Sequence, residues 1–292
     1  MKKTPTLSPG SSLGVCAPSS CFDIEKFNSG IQILEDLGFK VKVPEEIFKR
    51  KRYLAGNDVL RARVINQFFS DPDIDGIICA RGGFGSMRIL DHLNWSTIRQ
   101  NPKPFIGFSD NTAVLLSIIG ETGNLVVHGP TVVSLANAKK ETIDAFYNTL
   151  AGSLDKIDVT NGRILKSGKC TGVLKGGNLS TISHLLGTRF QPDFKNTILF
   201  IEDIGESAYK IDRMLTQMKM AGLFEGIRGV IIGSFENCDN YGYIEEILVE
   251  IYEEYNIPVL SGLDSGHGKI NLSLCMGTHI KMDTEPAIIQ WV

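Results

Sequence analysis

The spacing of apolar residues along the chain changes repeatedly, and each change predicts an element. Residues 13–17 form a continuous apolar run closed by Pro18-Ser19-Ser20, the pattern of a short buried strand. Asp23 then opens a helical spacing, with apolar residues at Phe27, Ile31 and Leu34 and a stop at Gly38. Phe39, Val41 and Val43 alternate with Lys40 and Lys42, which predicts a strand. Leu60, Val64 and Phe68 recur every four residues and predict a second helix ending before Asp71-Pro72. Residues 74–80 form another apolar strand, followed by Arg81-Gly82-Gly83-Phe84-Gly85 and a short helix through Leu90. Residues 105–108 form a strand that stops abruptly at Ser109-Asp110. Residues 111–119 then read as a helix, apolar on nearly every side and therefore buried. Strands alternating with helices imply a parallel sheet with right-handed crossovers, whose sites lie beyond the carboxyl ends of the strands. Ser109 and Gly82-Gly83 both fall at such ends.

From residue 131 to about 168 the pattern fades and polarity rises, with one helix expected at residues 141–150. A domain boundary is placed here, separating residues 1–160 from residues 161–292. Beyond it, residues 171–174 lead into Gly176-Gly177-Asn178-Leu179 and a helix through Leu186. Strands at 198–201 and 229–234 alternate with helices at about 207–221 and 244–255. Short strand-like pieces follow from residue 257 to the last residue.

Composition narrows the class. The chain has 292 residues, is 42% hydrophobic and 22% charged, and carries a net charge of −3. These are the values of a globular protein, with no electrostatic reason to expect nucleic acid or an acidic membrane as partner. Lys49-Arg50-Lys51-Arg52 is the one basic run and reads as a solvated loop face. The six cysteines lack C-x-x-C spacing, and no metal-binding constellation appears, so neither metal nor cofactor is expected. No apolar signal region follows Lys2-Lys3, and free cysteines fit a reducing compartment, which points to the cytoplasm.

Ser109 stands at a strand-to-helix corner, where unpartnered N–H groups would face negative charge developing on acyl transfer. The pattern is G-x-S-x-N, and the alternative is that Ser109 or Asp110 merely caps the helix. A serine needs a base beside it. His267, in Gly266-His267-Gly268 on a flexible loop after a strand, is the candidate; His128, in Val127-His128-Gly129-Pro130, is the competitor and reads as structural. Glu202 and Asp203 end an apolar strand and Glu206 follows. Glu202 is placed to orient the histidine, while some of these acids would only cap the helix beginning near Ser207. The Gly82-Gly83 turn would bring bare N–H groups to Ser109, or would simply permit a tight turn. For an exopeptidase, which must recognise a free terminal carboxylate, Arg81 and Arg213 are the candidate partners by bidentate pairing, with structural ion pairs as the alternative.

Together these motifs resemble the LD-carboxypeptidase family of serine peptidases, which includes microcin-immunity hydrolases. The similarity runs from about Leu13 to Met282. The motifs are Arg81 to Gly85, with Phe84 where the family has tyrosine, then Gly107 to Asp110, Gly176 to Leu179, Leu199 to Asp203, and Gly266-His267. The resemblance implies an α/β fold: an N-terminal Rossmann-like parallel sheet with helices on both faces and a smaller C-terminal β-rich α+β domain, often as a homodimer. It implies Ser109 as nucleophile, His267 as base and then acid, Glu202 orienting the imidazole, and an oxyanion hole from the N–H groups of Gly83 and Asp110. The site would lie at the domain interface. The implied substrate is a murein tetrapeptide, cleaved at the L,D-bond to its terminal D-alanine during cytoplasmic wall recycling. Peptidyl-nucleotide hydrolysis of the microcin-immunity type is the alternative within the family. A non-catalytic binding protein on a Rossmann-like sheet is the alternative outside it.

Overall fold

A computed structural model describes residues 6–159 and 162–292. The chain divides into two compact units, Met1–Ser153 with Leu272–Cys275, and Leu154–Asn271 with Met276–Val292.

In the first unit, strands β1 (Ser12–Cys16), β2 (Lys40–Lys42), β3 (Gly76–Cys79), β4 (Phe105–Gly107) and β5 (Val126–His128) form a parallel sheet. Their spatial order is β5-β4-β3-β1-β2, and strand Leu274–Met276 adds to the edge beside β5. This is a doubly wound order whose direction of winding reverses between β1 and β3. The central strands are apolar because the sheet is buried: Val15, Ile77, Ile78, Phe105 and Ile106 are fully inaccessible. Helix Ile24–Asp36 begins at the N-cap Asp23, whose carboxylate accepts from the Lys26 N–H at 2.9 Å. Helix Asp58–Ser70 is capped in the same way by Asn57.

The second unit carries β6 (Lys156–Asp158), β7 (Arg163–Lys166), β8 (Lys169–Asn178), β9 (Thr197–Ile204), β10 (Gly229–Glu236) and β11 (Val259–Ser261). The edge strand of the first sheet, β12, lies between these and β13 (His279–Asp283) and β14 (Ile288–Trp291) in sequence. The second sheet runs β6-β14-β13-β8-β9-β10-β11-β7. Its centre, β8 to β11, is parallel, and antiparallel strands extend it on both sides. Register places Asn178, the last residue of β8, opposite Glu202 of β9, so two motif residues sit side by side on adjacent strands. Among the described residues no helix is long and apolar enough to cross a membrane.

Candidate active site

In the first unit, three loops leave the carboxyl ends of β1, β3 and β4, and side chains tie them together. Ser109 follows β4 and holds φ 62°, a left-handed conformation that costs a residue bearing Cβ about 1–2 kcal/mol. A strained serine at a strand-to-helix corner turns its hydroxyl out of the sheet. A turn at Ser109–Asn111 leads into helix Thr112–Thr122, whose residues 112–118 are all buried.

The corner is fixed by its neighbours. Asp110 is buried, and its Oδ2 accepts from Ser19 Oγ at 2.5 Å and from the Ser86 N–H at 2.8 Å. Ser86 Oγ donates in turn to the Asp110 carbonyl. Asn111 Nδ2 donates to the Phe108 carbonyl at 3.0 Å. The Asp110 carboxylate is thus occupied in holding loops. Ser19 and Ser86 carry no motif, and sequence reasoning missed both.

The Arg81–Gly85 turn approaches Ser109 as bare backbone. A Cβ on Gly82 would lie 2.8 Å from Ser109 Cβ and 3.0 Å from its Oγ. Gly83 has φ 107°, and a Cβ there would lie 2.5 Å from Ser20 Oγ. Ser20 Oγ accepts from the Phe84 N–H at 3.1 Å. Behind the turn, the buried Arg61 donates through Nη1 to the carbonyls of Pro18 and Gly85, the latter at 2.9 Å, and through Nη2 to Asp58. The Arg88 hydrogen bond, aided by Arg61, holds the Asp58 carboxyl at about 2. Arg81 is exposed and donates through Nη1 to the Cys21 carbonyl at 2.8 Å. His128 is fully buried with its ring edge-on to Phe108, 6.1 Å between centroids.

In the second unit, Glu202 and His267 meet. Glu202 is inaccessible inside β9, which runs on through Ile204 past the end expected at residue 201, and its Oε2 accepts from His267 Nδ1 at 2.6 Å. A carboxylate at Nδ1 fixes the tautomer and leaves Nε2 as the basic nitrogen. Burial presses the His267 pKa down, but the hydrogen bond to Glu202, the Glu202 charge and the charge of Asp203 together outweigh it and raise the value.

The loop bearing His267 is pinned at both flanks by one hydroxyl. Ser234 Oγ, on β10, accepts from the Gly268 N–H at 3.0 Å and donates to the Ser265 carbonyl at 3.2 Å. Gly266 has φ 111°, and a Cβ there would stand 2.5 Å from Glu202 Oε2 and 2.8 Å from Ser234 Oγ. Gly266→Ala is therefore expected to displace the imidazole and to abolish most activity while the protein stays folded, as turnover measured beside circular dichroism would show. Ser234→Ala is expected to lower kcat on the order of tenfold to a hundredfold with KM nearly unchanged, read from steady-state kinetics.

The neighbouring acids do other work. Asp203 accepts from Asn178 Nδ2 at 2.9 Å and from the Ser180 N–H and hydroxyl at 2.9 and 2.7 Å. It therefore stabilises the start of helix Leu179–His184, and burial raises its pKa. Helix Ala208–Met220 takes its first-turn acceptor from Asp239, 2.6 Å from the Ala208 N–H, not from Glu202 or Asp203. Glu206 pairs with Lys210 at 3.2 Å. Arg213 is exposed on this helix, with its guanidinium 5.4 Å from the Tyr209 ring centre. Among the described residues there is no cluster of three or more His, Cys, Asp or Glu able to hold a metal ion.

Comparison with known proteins identifies the family of the chain. Residues 13–129 match the LD-carboxypeptidase N-terminal domain, and residues 171–282 match the LD-carboxypeptidase C-terminal domain. The chain belongs to the LD-carboxypeptidase family. It is 35% identical to the probable murein peptide carboxypeptidase of Bacillus subtilis (strain 168), over 97% of this chain and 92% of that one. Its fold is similar to the solved structure of MccF in complex with glutamyl sulfamoyl guanosine, with TM-score 0.91, 27% identity, and coverage of 99% of this chain and 98% of that one. It is also similar to the muramoyltetrapeptide carboxypeptidase of Oxalobacter formigenes, with TM-score 0.84, 26% identity, and coverage of 96% and 97%.

Proposed function

We propose that the protein is a serine carboxypeptidase that hydrolyses the L,D-peptide bond to the terminal D-alanine of murein tetrapeptides, in cytoplasmic wall recycling. The observation that carries this reading is the fully buried Glu202 carboxylate at 2.6 Å from His267 Nδ1. A buried carboxylate is costly to maintain, and one aimed at an imidazole serves the stabilisation of positive charge on that ring.

In the reaction, His267 Nε2 takes the proton of the Ser109 hydroxyl as Oγ attacks the scissile carbonyl carbon. The carbonyl oxygen becomes an oxyanion, held by the N–H groups of Gly83 and Asp110. Collapse of this intermediate breaks the C–N bond, and His267 passes its proton to the nitrogen, which leaves as the free amine of D-alanine. The shortened peptide remains as an ester on Ser109. Water then attacks the ester carbonyl while His267 accepts its proton, and the return of a proton to Oγ frees the acid product. Arg81, already in place beside the Gly82-Gly83 turn, and Arg213 are the candidates for the substrate's terminal carboxylate.

A second reading, hydrolysis of a peptidyl-nucleotide, is supported by the similarity to MccF at TM-score 0.91. A competition assay separates the two. The expected result is a higher kcat/KM for a tetrapeptide ending in D-alanine than for an aminoacyl sulfamoyl nucleoside or for the same tetrapeptide ending in L-alanine. Preference for the nucleoside would replace the first reading with the second, and inertness toward all three would leave a binding protein.

A further inference from the structure

Two sequence features find no use in this mechanism: the basic run Lys49-Arg50-Lys51-Arg52 and the phenylalanine at position 84. The fold of the first unit brings them together. Residues 51–54 form a tight turn, in which Lys51 and Leu54 exchange backbone hydrogen bonds of 3.0 and 3.1 Å. The turn is fastened to the loop after β1, since the Cys21 N–H donates to the Tyr53 carbonyl at 2.9 Å and Leu54 bridges to Ser20. At its tip Arg52 holds φ 58°, a left-handed conformation for a residue that is neither glycine nor asparagine.

This fixed turn presents Tyr53, half exposed, against Phe84, 44% exposed. The two rings meet edge-on, 5.7 Å between centroids. The Arg52 guanidinium carbon lies 5.7 Å from the Tyr53 ring centre. Phe84 directly follows Gly83, so the aromatic pair borders the turn that approaches Ser109. Lys49, Arg50, Lys51 and Arg52 are all exposed, and none forms an ion pair among the described residues. By contrast, Arg61 and Arg88 are both committed to Asp58. Exposed aromatic surface under uncompensated positive charge suits a ligand that carries both apolar groups and carboxylates.

We propose that Tyr53 and Phe84, with Lys51 and Arg52, form a subsite for the acyl part of the substrate, reading a free carboxylate on the peptide upstream of the scissile bond. The inference rests on the carboxypeptidase reading. A carboxypeptidase releases one terminal residue, so nothing of the peptide extends beyond the leaving group. An added binding surface beside the oxyanion turn therefore serves the acyl side. The occupant is an acidic peptide, its backbone and apolar atoms against the two rings and its carboxylate toward Arg52.

The test compares two synthetic tetrapeptides ending in D-alanine, one with an acidic residue upstream of the cleaved bond and one with that residue as its uncharged amide. Binding is measured by calorimetry on Ser109→Ala protein, and on the same protein also carrying Arg52→Ala or Tyr53→Ala. The expected result is a preference of about five- to tenfold for the acidic peptide. That preference should shrink as salt rises and fall toward one with Arg52→Ala. Tyr53→Ala is expected to weaken both peptides. Equal affinity for the two peptides, or a preference untouched by Arg52→Ala, would overturn the proposal. Turnover by the protein with Ser109 intact is read separately. Absence of D-alanine release there would count against the catalytic reading, while the binding comparison would still decide the subsite.

Discussion

Replacing Ser109 with alanine is expected to abolish D-alanine release, with turnover falling on the order of 10⁶-fold. Without the hydroxyl no ester can form. What remains is the weak acceleration that binding and oxyanion donors give to attack by water. Loss of fold is not expected to accompany loss of activity. Alanine meets the same Cβ penalty as serine at φ 62°, so the cost is already present in the protein. The helix that follows stays anchored by Asp110 on Ser19 and Ser86. Thermal unfolding of Ser109→Ala should therefore superimpose on that of the parent. Ser109→Gly should be equally inactive yet no less stable, because relief of left-handed strain offsets the greater chain entropy of glycine. Retained turnover in either variant would remove Ser109 from the chemistry.

Glu202→Gln is expected to lower kcat by up to ~10⁴ and to shift the acid limb of the pH profile to lower pH. The amide keeps the shape of the side chain but not its charge, and it no longer enforces the Nδ1–H tautomer. The direction of the shift follows from the causes acting on His267. Burial lowers its pKa, and the Glu202 hydrogen bond and charge supply most of what raises it. With glutamine the burial remains and that support is gone, so the pKa falls. The base must be neutral, so activity in the parent is lost as pH drops through a value above the ordinary histidine pKa of about 6.5. In the variant the same loss comes at lower pH. Stability runs the other way: the contribution of a histidine whose pKa is raised on folding is full below the unfolded pKa and fades as pH rises through the folded value. A kcat/KM profile whose acid limb stayed in place would show that Glu202 does not govern the imidazole.

Much of the first unit was legible because its signals are local. The helix begun at Asp23, the helix of Leu60, Val64 and Phe68, and the apolar strands before Gly82 and Ser109 all stand within two or three residues of their expected ends. Helix Trp95–Gln100 was not legible, since six residues carry no readable period. Strands β6 and β7 were also missed, because they are the two edges of the second sheet and bury little: β6 buries only its central residue and β7 none. The glycine motif after residue 174 was open to misreading for a different reason. Strand β8 runs straight through Gly176 to Asn178. A Cβ on Gly176 would fall 1.8 Å from the Phe200 carbonyl oxygen of β9, so this glycine serves close strand approach inside the sheet.

The candidate site divides in the same way. Some residues announce themselves, as Glu202 does by following an apolar run in β9, or His267 by its flanking glycines. Residues that hold them do not. Ser19, Ser86 and Ser234 are ordinary serines whose importance lies in partners 24 to 91 positions away. The expectation that the acids following Ile201 cap the next helix failed for Asp203, which lies inside β9, for the same reason. Its partners arrive from the end of the neighbouring strand, Asn178, and from the helix that follows it, Ser180, a pairing that no local spacing encodes.

Mass spectrometry of a murein tetrapeptide ending in D-alanine, incubated with the protein and with Ser109→Ala, is the most direct measurement. Loss of one alanine from the peptide with the unmodified protein alone is the expected result. Alanine loss with both proteins, or with neither, would contradict a carboxypeptidase that works through Ser109.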